Sequence, residues 1–185
     1  MSKFFYTGKG DRGESNIGGK KIPKDSIEIE AVGALDEINS LLGLAKNQKF
    51  PDKTFKDILQ QAQENLFNVQ AHVGCYMIGG DPPDFPEEKV RKVEQLIDRF
   101  EKEVQPKRGF IVSGETAEAA WLDYARTVAR RAEIALIKLN KKMQAEGKIL
   151  EPNTLAYMNR LSSLLYAMAR LLAKKHGKEE QHPSY

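Results

Sequence analysis

From about residue 27 onward the apolar residues recur at alternating spacings of three and four, the period of helices that each bury one stripe. Five segments do so. The first carries Ala31, Leu35, Ile38, Leu42 and Ala45, and Asp25 with Glu28 form an Asp-x-x-Glu arrangement expected to satisfy the free amides of its start. The second carries Phe55, Leu59, Ala62, Leu66, Val69, Val73 and Tyr76. It ends at Gly79-Gly80-Asp81-Pro82-Pro83, where glycine permits a turn and proline forbids continuation. The third is expected to open at Asp84 with Pro86 in its first turn, and to bury Val90, Val93, Ile97, Phe100 and Val104. The fourth runs from about 116 to 144 with a stripe of Leu122, Ala125, Ala129, Ala132, Leu136, Leu139 and Met143. The fifth, from about 152 to 175, carries Leu155, Met158, Ser162, Leu165, Ala169 and Leu172. Long stripes with short connections predict an all-α fold, a five-helix bundle with antiparallel neighbours. Extended structure is expected only at Lys3 to Thr7 and Phe110 to Val112.

The chain of 185 residues is read as one domain, 1–185: an arm over 1–25, the bundle over 26–175 and a polar, flexible tail over 176–185. Its 29 Lys and Arg against 26 Asp and Glu leave an excess of +3, too small to mark a nucleic-acid binder. No stretch approaches the ~18 to 20 apolar residues of a membrane span, and the start lacks a signal peptide's apolar region, so a cytoplasmic protein is expected. Cys75 is the single cysteine and has no disulfide partner.

Charge matters locally. The arm holds six basic residues against three acidic ones, and five glycines at 8, 10, 13, 18 and 19. In Thr7-Gly8-Lys9-Gly10-Asp11-Arg12-Gly13 the glycines let backbone amides approach an anion while Lys9 or Arg12 neutralises it. That is phosphate-binding chemistry, although a solvated glycine-rich arm accounts for the segment equally well. On the fourth helix Asp123, Arg126, Arg130 and Glu133 share one face, with small Ala119, Ala120 and Ala125 beside them to admit another backbone or a ligand. The fifth aligns Asn159, Ser163, Tyr166 and Arg170; the first places Asp36 and Ser40 one turn apart beside Gly33. Water is the ordinary partner of any one such stripe. Three of them on a filled bundle suggest a ligand or another subunit.

His72, His176 and His182 are scattered, with no Glu-x-x-His pair, so no resident metal is expected, and His72 is read as a bundle histidine with an ordinary hydrogen-bond partner. No Ser or Cys carries a partner pattern for nucleophilic attack. The substrates would then supply their own reactivity.

Thr7 to Gly13, Pro23-Lys24-Asp25, Val32 to Ser40, Ala125 to Glu133 and Asn159-Arg160-Leu161-Ser162 occur in an order that resembles the PduO-type ATP:cob(I)alamin adenosyltransferases. The resemblance covers nearly the whole chain. It implies a homotrimer with ATP, carrying Mg²⁺, at each subunit interface and cobalamin as the second substrate. By the resemblance, Thr7, Gly8, Lys9, Gly10, Asp11, Arg12, Gly13 and Lys24 hold the polyphosphate, and Arg130, Glu133 and Asn159 complete the nucleotide site. Asp36 pairs with Arg126 of a neighbouring subunit, and Phe110 lies against the corrin ring. The implied reaction moves the 5′-deoxyadenosyl group of ATP to cob(I)alamin and releases triphosphate. A flavin-dependent reductase and a cobalamin-dependent acceptor enzyme are the implied partners, with no role for nucleic acid or membrane. Three positions depart from the family pattern: Gly8 precedes the basic Lys9, Ser113-Gly114-Glu115 replaces Pro-Gly-Gly, and Ser163 stands for a common Asp. The alternatives are a trimeric ATP sensor, an adenosylcobalamin-delivery module without turnover, and a helical scaffold.

Overall fold

The computed structural model describes residues 5–6 and 8–184. Thr7, and Lys3 and Phe4 of the first expected extended piece, lie outside the described residues. Seven elements follow in order: β1 (Glu14–Ile17), β2 (Lys20–Pro23), α1 (Ile27–Lys46), α2 (Thr54–Ile78), α3 (Glu87–Val104), α4 (Ala117–Ala145) and α5 (Pro152–Lys175).

The side-chain contacts give the helix directions. Glu28 meets Lys142, Glu30 meets Lys138 and Glu37 meets Arg131, so α1 and α4 are antiparallel. Gln63 bonds the Asn39 carbonyl while Lys46 reaches Gln60, which makes α1 and α2 antiparallel as well. Asn159 with Glu133 and Arg170 with Asp123 set α5 against α4. Arg160 with Glu94 and Lys174 with the Glu103 carbonyl run the other way, so α3 lies parallel to α5. Leu35, Leu59, Leu122, Leu136, Met158 and Leu161 are among the side chains buried completely between these helices. Tyr157 is buried with them, accepts a hydrogen bond from Asn65 Nδ2 at 3.3 Å, and has its phenol pushed up to about 12 by burial.

Several expectations change. α1 is capped by Ser26, whose Oγ accepts from the Ile29 amide at 3.3 Å, and not by Asp25. Glu28 pairs with Lys142 at 2.6 Å while its carboxylate stays beside the cap residue Ser26. α3 begins after Asp84, because Pro86 sits in extended geometry at its N-cap. The arm contains a hairpin that the periodicity did not reveal. Gly18 and Gly19, both at positive φ, join Ile17 to Lys20 in the two-residue turn that favours such glycines. Phe110 to Val112 is a loop rather than a strand. Its backbone bonds the tail, with the Val112 amide donating to the Gln181 carbonyl at 2.8 Å and His182 Nδ1 lying 2.8 Å from the Phe110 carbonyl. The tail expected to be flexible is thus held at two points. Ala119 and Ala125 fill the core and admit nothing from outside; only Ala120 is exposed. Among the described residues, no helix is long and apolar enough to cross a membrane.

Candidate functional site

Where the start of α4 meets the end of α5, the charged stripe is drawn inside. The Arg170 side chain is 2% exposed and reaches Glu115 Oε1 at 2.8 Å and Asp123 Oδ2 at 2.7 Å. Two carboxylates around one guanidinium form a fork that fixes Arg170. Burial pushes the Asp123 carboxyl up, and Arg170 opposes that shift. Tyr166 lies between two cations, its ring centroid 5.2 Å from the Arg170 guanidinium carbon and 5.8 Å from that of Arg126. The fork therefore sets the ring, and the ring backs Arg126.

Arg126 and Arg130 open with Tyr166 and Ser163 onto a cavity of about 400 Å³ between α3, α4 and α5. Arg126 Nε is buried without a hydrogen-bond partner, and Arg130 forms no ion pair among the described residues. Arg130 has no carboxylate partner among them and Arg126 feels only Asp123, which Arg170 already holds, so the two guanidiniums are arranged to receive an anion. One turn further along α4, Glu133 Oε1 accepts from Asn159 Nδ2 at 2.8 Å, and Asn159 Oδ1 accepts from Arg160 at 2.7 Å. Arg160 is anchored in turn on Glu94 at 2.8 Å. Arg130, Glu133 and Asn159 thus form one patch across α4 and α5.

The arm forms a second patch. Gly8 and Gly13 take positive φ, and the loop closes through Asp11 N–H to the Gly8 carbonyl and Gly13 N–H to the Gly10 carbonyl. A Cβ on Gly10 would come within 3.1 Å of Lys24 Nζ and 3.3 Å of the Glu14 carbonyl, so a side chain there would crowd both. Lys24 accordingly sits on the loop, where Lys9, Asp11 and Arg12 are exposed. Lys20 Nζ donates to the Met77 carbonyl at 3.1 Å and ties the hairpin to the end of α2.

The two patches do not meet within the subunit. The arm leads into α1, where Glu28 meets Lys142; from Lys142 to Arg130 is 142 − 130 = 12 residues of α4, or ~18 Å along the axis. Asp36 and Arg126 are not paired with each other either. Asp36 is exposed on α1, while the adjacent Glu37 takes Arg131. Phe110 projects at 76% exposure from the loop the tail holds. The Glu115, Asp123 and Arg170 fork was not anticipated. Its signal was present, since Asp123 and Arg170 each stood on a polar stripe, but only packing shows that these stripes face one another. Among the described residues no group of three or more His, Cys, Asp or Glu side chains is placed to hold a metal ion.

The sequence profile of the cobalamin adenosyltransferase family matches residues 5–172. A corrinoid adenosyltransferase of Bacillus subtilis is 33% identical over 178 residues, covering 94% of this chain and 88% of the relative. The corrinoid adenosyltransferase PduO of Salmonella typhimurium is 33% identical over 169 residues, which are 90% of this chain and 48% of that protein. A variant of the PduO-type ATP:corrinoid adenosyltransferase from Lactobacillus reuteri, solved with cobalamin and ATP, has a TM-score of 0.87 at 25% identity, with 98% of this chain and 97% of that chain covered. With the five helices in the same arrangement and the matched profile spanning both patches, the chain belongs to the cobalamin adenosyltransferase family.

Proposed function

We propose that the protein transfers the 5′-deoxyadenosyl group of ATP to cob(I)alamin, forming adenosylcobalamin and triphosphate, at sites completed between the subunits of a homotrimer. The observation that carries this reading is the split site: a glycine loop with Lys24 at one end of the bundle, and Arg126, Arg130, Glu133 and Asn159 well along it. A second copy that brings its arm to this patch would close the gap, and would give Asp36 and Arg126 their missing partners. Tyr124, Ile134 and Ile137 expose apolar surface along the outer side of α4, as a buried interface requires.

In this site the cobalt of cob(I)alamin attacks C5′ of ATP. The cobalt–carbon bond forms, the carbon–oxygen bond breaks, and the electron pair leaves with the triphosphate. No protein nucleophile is called for. The chain's part is to align the reactants and to stabilise the departing charge. Lys9, Lys24 and Arg130 are assigned to that charge, alongside the Mg²⁺ that enters with ATP. Glu133 and Asn159, held through Arg160 and Glu94, orient the nucleoside. Arg126, backed by Tyr166, pairs with Asp36 of the neighbour. Phe110 offers the corrin an apolar lower face without a ligand for cobalt, which eases reduction to the reactive state. A flavin-dependent reductase would supply the electron in the cytoplasm, and a cobalamin-dependent enzyme would take the product.

The test is incubation with ATP, Mg²⁺ and chemically reduced cobalamin. The light-sensitive alkylcobalamin spectrum is expected, with a trimer in sedimentation. ATP binding without that spectrum would favour the sensor or delivery module, and no ATP binding the scaffold.

A further inference from the structure

The loop over 105–116, between α3 and α4, carries Phe110 and borders the cavity of Arg126 and Arg130 at both ends. Pro106 lines that cavity, and so does Arg170, to which Glu115 is bonded. Gly109 and Gly114, at φ 136° and 102°, flank the Phe110 stretch in backbone that side chains disfavour. Between them Ser113 stands where the family pattern has a proline, so no ring fixes φ there, and Glu115 stands where that pattern has a glycine. Such freedom has to be removed by contacts if Phe110 is to keep one pose.

Two sets of contacts remove it. On one side the tail takes the Phe110 carbonyl through His182 and the Val112 amide through the Gln181 carbonyl. The other side is held by charge. Glu115 is buried on Arg170 at 2.8 Å, and Arg170 holds Asp123 at 2.7 Å. Burial raises the Asp123 carboxyl, and Arg170, Arg126 and the loop's own Gly114 amide draw it back toward the charged form.

Stability alone does not account for this fork. Glu115 Oε2, Asp123 Oδ1 and Arg170 Nε are each buried without a hydrogen-bond partner. Charges desolvated in this way regain little net energy from their attraction, and apolar side chains of similar size would hold a bundle as well. Apolar packing would not tie one chosen loop residue to one chosen guanidinium. Here that guanidinium also lies 5.2 Å from the Tyr166 ring that backs Arg126.

We infer that Glu115 is a positioning residue for the corrinoid: through Arg170 it fixes the loop that presents Phe110, and joins that loop to the support of Arg126. The inference rests on the adenosyl-transfer reading, in which Phe110 faces the corrin. A loop ordered in advance removes the cost of ordering from binding, so the consequence lies in corrinoid affinity rather than in turnover once bound.

Glu115→Ala leaves Arg170 paired with Asp123, so the variant is expected to fold. Trypsin cuts after Lys107 and Arg108, both exposed in the same loop, and without substrates this cleavage should run about fivefold faster in the variant. In turnover with chemically reduced cobalamin, the KM for cob(I)alamin should rise about fivefold, with kcat and the KM for ATP each within about twofold of the wild type. Leu139→Ala, which opens a void in the core 139 − 123 = 16 residues further along α4, should lower the unfolding midpoint and leave loop cleavage and all three kinetic constants unchanged. Unchanged loop cleavage in Glu115→Ala, an unchanged KM for cob(I)alamin, an equal rise in the KM for ATP, or the same changes in Leu139→Ala would each overturn the inference. A wild-type chain that makes no adenosylcobalamin would instead end the adenosyl-transfer reading, and the corrinoid's part in this inference with it, while cleavage would still report whether Glu115 holds the loop.

Discussion

Helix α4 carries cations toward two neighbours, and the two sides differ in what meets them. Toward α1, Arg131, Lys138 and Lys142 each find a glutamate, on Glu37, Glu30 and Glu28, in a ladder that remains largely in solvent. Toward α5 and the outer surface, Arg126 and Arg130 form no ion pair among the described residues; Asp123, the carboxylate that Arg126 feels, is gripped with Glu115 by Arg170. Charges that only support a bundle are paired off at its surface. Charges left open beside a cavity, with a buried fork holding their backing, are prepared for a partner from outside.

The comparison breaks first at the fork. Arg170→Met would leave Asp123 and Glu115 buried without a counter-ion, and should cost ~3 to 5 kcal/mol in urea unfolding. A loss no greater than that of a ladder variant would mean the two sides do not differ. Next comes Arg130→Ala, expected to lose ~2 to 4 kcal/mol of transition-state stabilisation with the unfolding midpoint unchanged. Normal kcat/KM would remove Arg130 from the site. Asp36→Ala and Arg126→Ala should each cost on the order of 2 kcal/mol in kcat/KM, and together no more than one alone. Full additivity in that cycle would refute the pairing between subunits.

Burial itself gives a further contrast with the exposed ladder. The Tyr157 phenol, pushed up to about 12, keeps its proton where the unfolded chain's phenols lose theirs near 10. The unfolded state then binds fewer protons, so stability should fall as pH rises from about 10 to about 12, by on the order of 2 kcal/mol. Tyr157→Phe should flatten that slope in alkaline unfolding, and an unchanged slope would place its origin elsewhere. The smallest effect belongs to the ladder: Lys138→Ala should cost under ~1 kcal/mol, shrinking further in salt. A larger loss would make the ladder more than surface pairing.

Much of this was legible in the amino-acid order. Leu122, Leu136 and Met158 at helical spacing placed the core, because a stripe that repeats with the helix has one way to leave water. Pro152 at the start of α5 and Gly79 after α2 marked their ends through local backbone restrictions. The glycine loop and the polar stripes announced chemistry. The hairpin at Gly18-Gly19 was not read from the sequence, because its four-residue strands are too short for periodicity to stand out.

The tertiary structure decided the rest, since it depends on which faces meet. Ser26 rather than Asp25 caps α1, and Glu28 finds its ion-pair partner in Lys142, far along the chain. Asp123 reads as a surface residue by its spacing, and becomes half of a buried fork only when α5 brings Arg170 against it. His72 reads as a satisfied core histidine until packing leaves its Nε2 without a partner. Periodicity and turn chemistry are properties of neighbours in sequence, so the chain alone determines its helices and their buried stripes. Burial of charge, the pairing of distant side chains and the distance between the glycine loop and the α4–α5 patch are properties of neighbours in space, and those only the folded bundle settles.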